Sequence, residues 1–145
     1  MKFIFCLIIA VVLYFVIAYF KDTSSEKNTI ARQGGMYGKY RVLINHYKQQ
    51  GLEITKQTGN SITLYSYKEG NYIKMIFDQV YNKLWVKMEM HNSIWGTHQL
   101  DWEFSEMESQ ELMIRQIDDR VKQYTNNLER VHLRDTIWKK MMLDD

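Results

Sequence analysis

Four hydrophobic rhythms follow one another along the chain. From Phe3 to Phe20 the sequence FIFCLIIAVVLYFVIAYF runs without a charge, a glycine or a proline. At about 1.5 Å of rise per residue this run spans about 27 Å as a helix, close to a hydrocarbon core of roughly 30 Å. Residues 1–21 are therefore expected to form a single-pass transmembrane anchor, with the lipid bilayer as its partner through residues 3–20. Lys2 and Lys21 bracket the run, and Tyr19 and Phe20 sit where interfacial aromatics are common. The rival reading is a secretory signal cleaved after Ala18. Against it, the apolar run is longer than a usual signal core, and bulky Tyr19 and Phe20 would follow the cut. Basic residues flank both ends, so the side of the membrane that holds the rest of the chain stays open.

Residues 22–35 are polar and small and read as a tether. The second rhythm is helical: Met36, Tyr40, Leu43 and Tyr47 recur at steps of four and three, and Gly51 is a natural stop, which predicts a helix over 36–50. The third rhythm has period two. Short strands are expected at 52–56, around Ile62 and Leu64, around Ile73, Met75 and Phe77, from Leu84 to Met90, and around Leu100, Trp102 and Phe104. The separators Gly59-Asn60, Lys68-Glu69-Gly70-Asn71 and Tyr81-Asn82 are turn-like and too short for parallel crossovers, so the strands form an antiparallel meander. The fourth rhythm returns to helix: Ile114, Ile117, Val121, Tyr124, Leu128 and Val131 form a narrow stripe, with Ser105 or Ser109 as its cap and Asn126-Asn127 as a point of interruption. The fold class is α+β: a transmembrane helix, a helix, a five-stranded antiparallel meander and a C-terminal helix. Residues 36–125 make the α+β domain and residues 126–145 a helical extension.

Composition narrows the function classes. Lys2 and Lys21 account for the whole formal surplus of +2, so the displayed domain is near neutral, which argues against a nucleic-acid partner. The single cysteine, Cys6, lies in the apolar run, so the domain can form neither a disulfide nor a thiolate metal site. No Gly-rich phosphate loop, nucleophile elbow or HExxH pattern occurs, and no cofactor is expected.

Two features carry candidate chemistry. His91 and His98 close the longest strand connection, with Asp101 and Glu103 just beyond. This is a weak candidate metal or acid–base set, and the blander reading is a structural loop with Ile94 and Trp95 at its tip. His46 and His132 are isolated on helical segments and expected at the surface. More informative are Tyr65, Tyr67, Tyr72 and Trp85, which fall on the sheet face opposite Ile62, Leu64, Ile73, Met75, Leu84 and Val86. Either the first helix covers this aromatic face or it is a binding surface. The distal helical stripe offers a similar choice between core and a seam for a second copy or a partner.

Gln33-Gly34-Gly35-Met36 with Tyr40, Leu43-Ile44 and Tyr47, together with Ile94 to Phe104, Gln110 and Met113-Ile114, resembles an uncharacterised family of small bacterial proteins with a helix–meander–helix layout. The layout is also similar to the α+β fold of secretion chaperones. The resemblance is to bacterial proteins and brings no activity or site residue; together with the apolar run it makes a bacterial inner membrane the expected location. The expected function is a membrane-anchored, non-enzymatic interaction module with a protein partner or a second copy, and Trp95, Ile94, Trp85, Tyr65, Tyr67 and Tyr72 as contact residues. The alternatives are an envelope hydrolase using the His91–Glu103 region and an accessory subunit whose transmembrane helix packs in a larger complex.

Overall fold

The computed structural model describes residues 30–32 and 34–143, with side chains up to residue 136. The expected anchor at residues 3–20 lies outside the described residues. Among the described residues no helix is long and apolar enough to cross a membrane. Residues 30–32 are helical, and Ile30 is buried, so the folded unit already includes residue 30, within the stretch read as tether.

The helix expected over 36–50 is two pieces, α1 (Gly35–Lys39) and α2 (Arg41–Gln49), broken at Tyr40, whose φ and ψ of −111° and 36° leave the helical region. Two glutamines explain why the break is stable. The Tyr40 hydroxyl donates to the side-chain oxygen of Gln79, which is fully buried on the sheet, and Gln79 Nε2 donates to the Tyr81 carbonyl at 2.6 Å. Gln110 uses its amide twice: Nε2 donates to the Lys39 carbonyl at 2.9 Å, and Oε1 accepts from the Leu43 N–H at 3.0 Å. Backbone groups next to the break thus keep partners, as buried polar groups must. Gly51, at φ 95°, ends α2 as expected. Its N–H bonds to the Lys48 carbonyl and the Leu52 N–H to the Tyr47 carbonyl, the double bond of a left-handed helix cap.

Five antiparallel strands follow in the order β1-β2-β3-β4-β5: β1 (Glu53–Gln57), β2 (Ser61–Lys68), β3 (Asn71–Val80), β4 (Lys83–Asn92) and β5 (Gly96–Ser105). The α+β meander of the sequence is what forms. Glu69 and Gly70, both at positive φ, make the tight β2–β3 turn whose twist suits a hairpin. In the register, Leu64 faces Met75, Met75 faces Met88, and Met88 faces Leu100; one row over, Ile62, Phe77, Val86 and Trp102 align. All of these are buried.

The helices share this inner face. Met36, Tyr40, Leu43, Ile44 and Tyr47 pack into the same core as Met113 and Ile117 of the C-terminal helix α3 (Gln110–Leu143). The first helix does not cover the aromatic outer face. Its own apolar stripe is drawn to the apolar side of the sheet, and Gln110 ties it to α3 there. Ser109 caps α3, accepting the Leu112 N–H at its Oγ, while the Ser105 hydroxyl serves the preceding turn at Met107. The helix continues unbroken through Asn126-Asn127. Its stripe is core only as far as Val121 and Tyr124; Leu128 is half-buried, and Val131 and Leu133 are exposed. The reason is length: 34 residues span about 51 Å, whereas a ten-residue strand spans roughly 33 Å.

Removing the Gln110 amide strands a carbonyl and an N–H at the Tyr40 break. Gln110→Ala is expected to lower stability by about 1–3 kcal/mol, against about 0.5 kcal/mol or less for Gln116→Ala on the exposed side of α3. Urea unfolding of both variants checks this; equal losses would mean that the break does not depend on Gln110.

Candidate functional site

Alternation along β2 to β5 puts every second side chain on the outer face, and no described element lies over that face. Tyr67 is 64 % exposed and Trp85 is 42 % exposed; Tyr65 and Tyr72 are half-buried among their neighbours. The aromatic rings are ordered by one another. Tyr65 stacks on Tyr72 at 5.9 Å between centroids, and Tyr72 on His91 at 5.4 Å with planes 15° apart. Such cross-strand aromatic pairs stabilise a sheet and also hold a recognition surface in one arrangement.

A polar network fixes the same patch. The Tyr72 hydroxyl donates to Glu89 Oε1 at 2.7 Å, and Gln99 Nε2 donates to Glu89 Oε2 at 2.9 Å. His91 Nδ1 lies 2.9 Å from the Thr97 hydroxyl. The hydrogen bond from Tyr72 is the main cause that holds the Glu89 carboxyl below its ordinary pKa, and the same bond raises the Tyr72 phenol above its own.

Beside this network, Trp85 forms one wall of a shallow groove of about 590 Å³ shared with Asp78, Val80, Lys87, Gln99 and Asp101. Lys87 shares the lining with the Asp78 and Asp101 carboxylates, and Glu103, next to Asp101 on the same face of β5, pairs with Lys83. The arrangement offers aromatic area, both signs of charge and an amide that can donate and accept hydrogen bonds.

The connection from β4 to β5 does not bring its histidines together. Register pairs His91 with Thr97 and Met90 with His98, so His91 lies on the outer face and His98 on the inner one. His98 is clamped there, with Nδ1 2.8 Å from the Tyr124 hydroxyl and Nε2 2.7 Å from the Trp95 carbonyl oxygen. The Asp101 and Glu103 side chains stay on the outer face, while the Asp101 backbone carbonyl takes a hydrogen bond at 2.8 Å from Arg120 of α3, whose guanidinium lies over the inner-face Trp102 ring. Among the described residues no three His, Cys, Asp or Glu side chains are grouped to hold a metal ion. The loop-tip pair also separates: Ile94 is 62 % exposed, whereas Trp95 is half-buried.

His46 is not an isolated surface residue. Its Nε2 lies 2.9 Å from Asp118 Oδ2, and the hydroxyl of neighbouring Tyr47 donates to Asp118 Oδ1 at 3.0 Å. Burial, and then the nearby Asp118 charge, push the Tyr47 phenol far above its ordinary pKa, so it stays a protonated donor. This cluster bolts α2 to α3. Helical periodicity places Tyr47 in the core, but no local pattern points to an aspartate on a helix so far along the chain.

The Glu89 network yields a pH test. A carboxyl whose folded pKa is depressed adds stability above its ordinary pKa and loses it as pH falls through the folded value. Tyr72→Phe removes the largest cause of the depression. The Glu89 carboxyl is therefore expected to titrate at higher pH in the variant, as followed by carboxyl-carbon NMR; an unmoved titration would contradict the network.

No protein-family model matches this chain, and neither a curated protein nor a solved structure matches it significantly.

Proposed function

We propose that this chain is a membrane-tethered, non-catalytic binding module that docks a protein partner on its outer sheet face. One observation carries the reading: a sheet face bearing Tyr65, Tyr67, Tyr72 and Trp85 is left without cover among the described residues, while the helices bury their apolar side chains on the other face. Aromatic residues are enriched where interfaces form because they bring large contact area with a polar end. Their preset stacking lowers the ordering cost of binding. The tether follows from the apolar run at residues 3–20, which has the length and flanks of an anchor. Confinement beside a bilayer raises the effective concentration of a membrane-bound partner, so a modest interface suffices.

Paired substitution of Trp85→Ala and Tyr67→Ala tests this in the full chain, expressed in its membrane and captured through a tag. Neither side chain reaches the core, so the double variant is expected to stay folded while losing its co-captured partner. Undiminished capture by the folded variant would remove the outer face as the docking site.

A further inference from the structure

The inner face of the sheet is covered unevenly, and the uncovered end has a chemistry of its own. Helix α2 stops at Gln49, and register sets Glu53 of β1 against Tyr65, so β2 runs on past both elements. Inner-face positions beyond that point lie past α2 and are bordered by α3 alone among the described helices. Ile73 is 39 % exposed, whereas Met75 and Phe77, next on the same face of β3, are fully buried. Met90 lies across from Ile73, Leu128 of α3 closes one side, and Trp95 folds in from the β4–β5 turn, which His98 holds against Tyr124. These residues line a cleft of about 270 Å³.

Three observations define what this cleft would take. Its floor is apolar, and its volume lies just below the range of roughly 300–1,000 Å³ usual for ligand pockets, which limits the occupant to one slender molecule. No aspartate or glutamate is among its lining residues, but Lys68 is, on the inner-face parity of β2, and Lys68 has no ion-pair partner among the described residues. Finally, Trp95, half-buried at the β4–β5 turn, adds aromatic area to the wall.

We infer that this cleft binds an anionic amphiphile, specifically a medium-chain carboxylate. Its chain lies on Ile73, Met90 and Leu128, and its head accepts from Lys68. Lys68 is the single lysine or arginine of the lining, which suits a singly charged head. A phosphate monoester, carrying about −1.5 to −2 near neutral pH, would call for more cationic partners. Tyr72 and His91 border both surfaces at the strand ends, but neither Tyr67 nor Trp85 lines the cleft, so the inference is tested separately from the outer-face reading.

The test is photolabelling of the full chain, reconstituted in phosphatidylcholine nanodiscs, with a diazirine-bearing decanoate and peptide mapping of the products. Label is expected in the peptides holding Met90 and Leu128, displaced by excess decanoate and not by decylamine. Lys68→Glu, at an exposed side chain, is expected to cut this labelling about tenfold through loss of a charge-assisted hydrogen bond. Leu128→Trp, which fills the cleft, is expected to abolish it, and circular dichroism establishes that each variant is folded. Should Leu128→Trp fail to fold, Lys68→Glu decides alone. Labelling that ignores Lys68→Glu, that decylamine displaces equally well, or that appears only within residues 3–20 would overturn the inference.

Discussion

The break at Tyr40 is the point on which the architecture turns. A straight helix over residues 36–50 would place its stripe along one line. The break lets α1 cross one end of the sheet while α2 lies beside α3, so both pieces bury their apolar side chains against the same surface. That geometry is possible only because two glutamine amides stand in for what the break disturbs: Gln110 serves the Lys39 carbonyl and the Leu43 N–H, and Gln79 receives the Tyr40 hydroxyl. Lys39, paired with Glu106 at 2.7 Å, closes the same corner. The Tyr47–Asp118–His46 cluster then fixes the far half of α2 to α3.

From this one-sided layering the open outer face and the inner cleft both follow. With all described helical cover on the inner face, the outer face keeps its aromatic residues in the open and stiffens them by stacking and by the Tyr72–Glu89–Gln99 network. On the inner face, α2 is too short for a sheet whose longer strands have ten residues, and the shortfall leaves the cleft between Ile73, Met90 and Leu128. The open face and the cleft have the same origin, in a helical layer smaller than the sheet it covers.

Local patterning made the meander legible. The alternation of Ile62-Leu64, Ile73-Met75-Phe77 and Leu84-Val86-Met88 assigns faces correctly, because period two is set by the pleat itself. Gly51 and Gly70 mark positions that need positive φ, and they too could be read directly. The aromatic face was legible as a set of residues, but its exposure was not: which side a helix takes depends on Gln110 and Asp118, far along the chain from α2. The break at Tyr40 escaped for the same reason, since its stabilising partners are Gln79 and Gln110. The proximity of His91 and His98 in sequence misleads in a different way. A turn that puts residues close along the chain leaves them on opposite faces when their register positions differ by one.

The most direct test of the account is hydroxyl-radical footprinting of the full chain in a neutral bilayer, read as the rate of oxidation at each aromatic residue. The account predicts rapid modification of Tyr67 and Trp85 and strong protection of Tyr40, Tyr47 and Trp102. Protection of Tyr67 and Trp85 to the same degree as Trp102 would show that the outer face is covered and would contradict the claim that the helices leave it open.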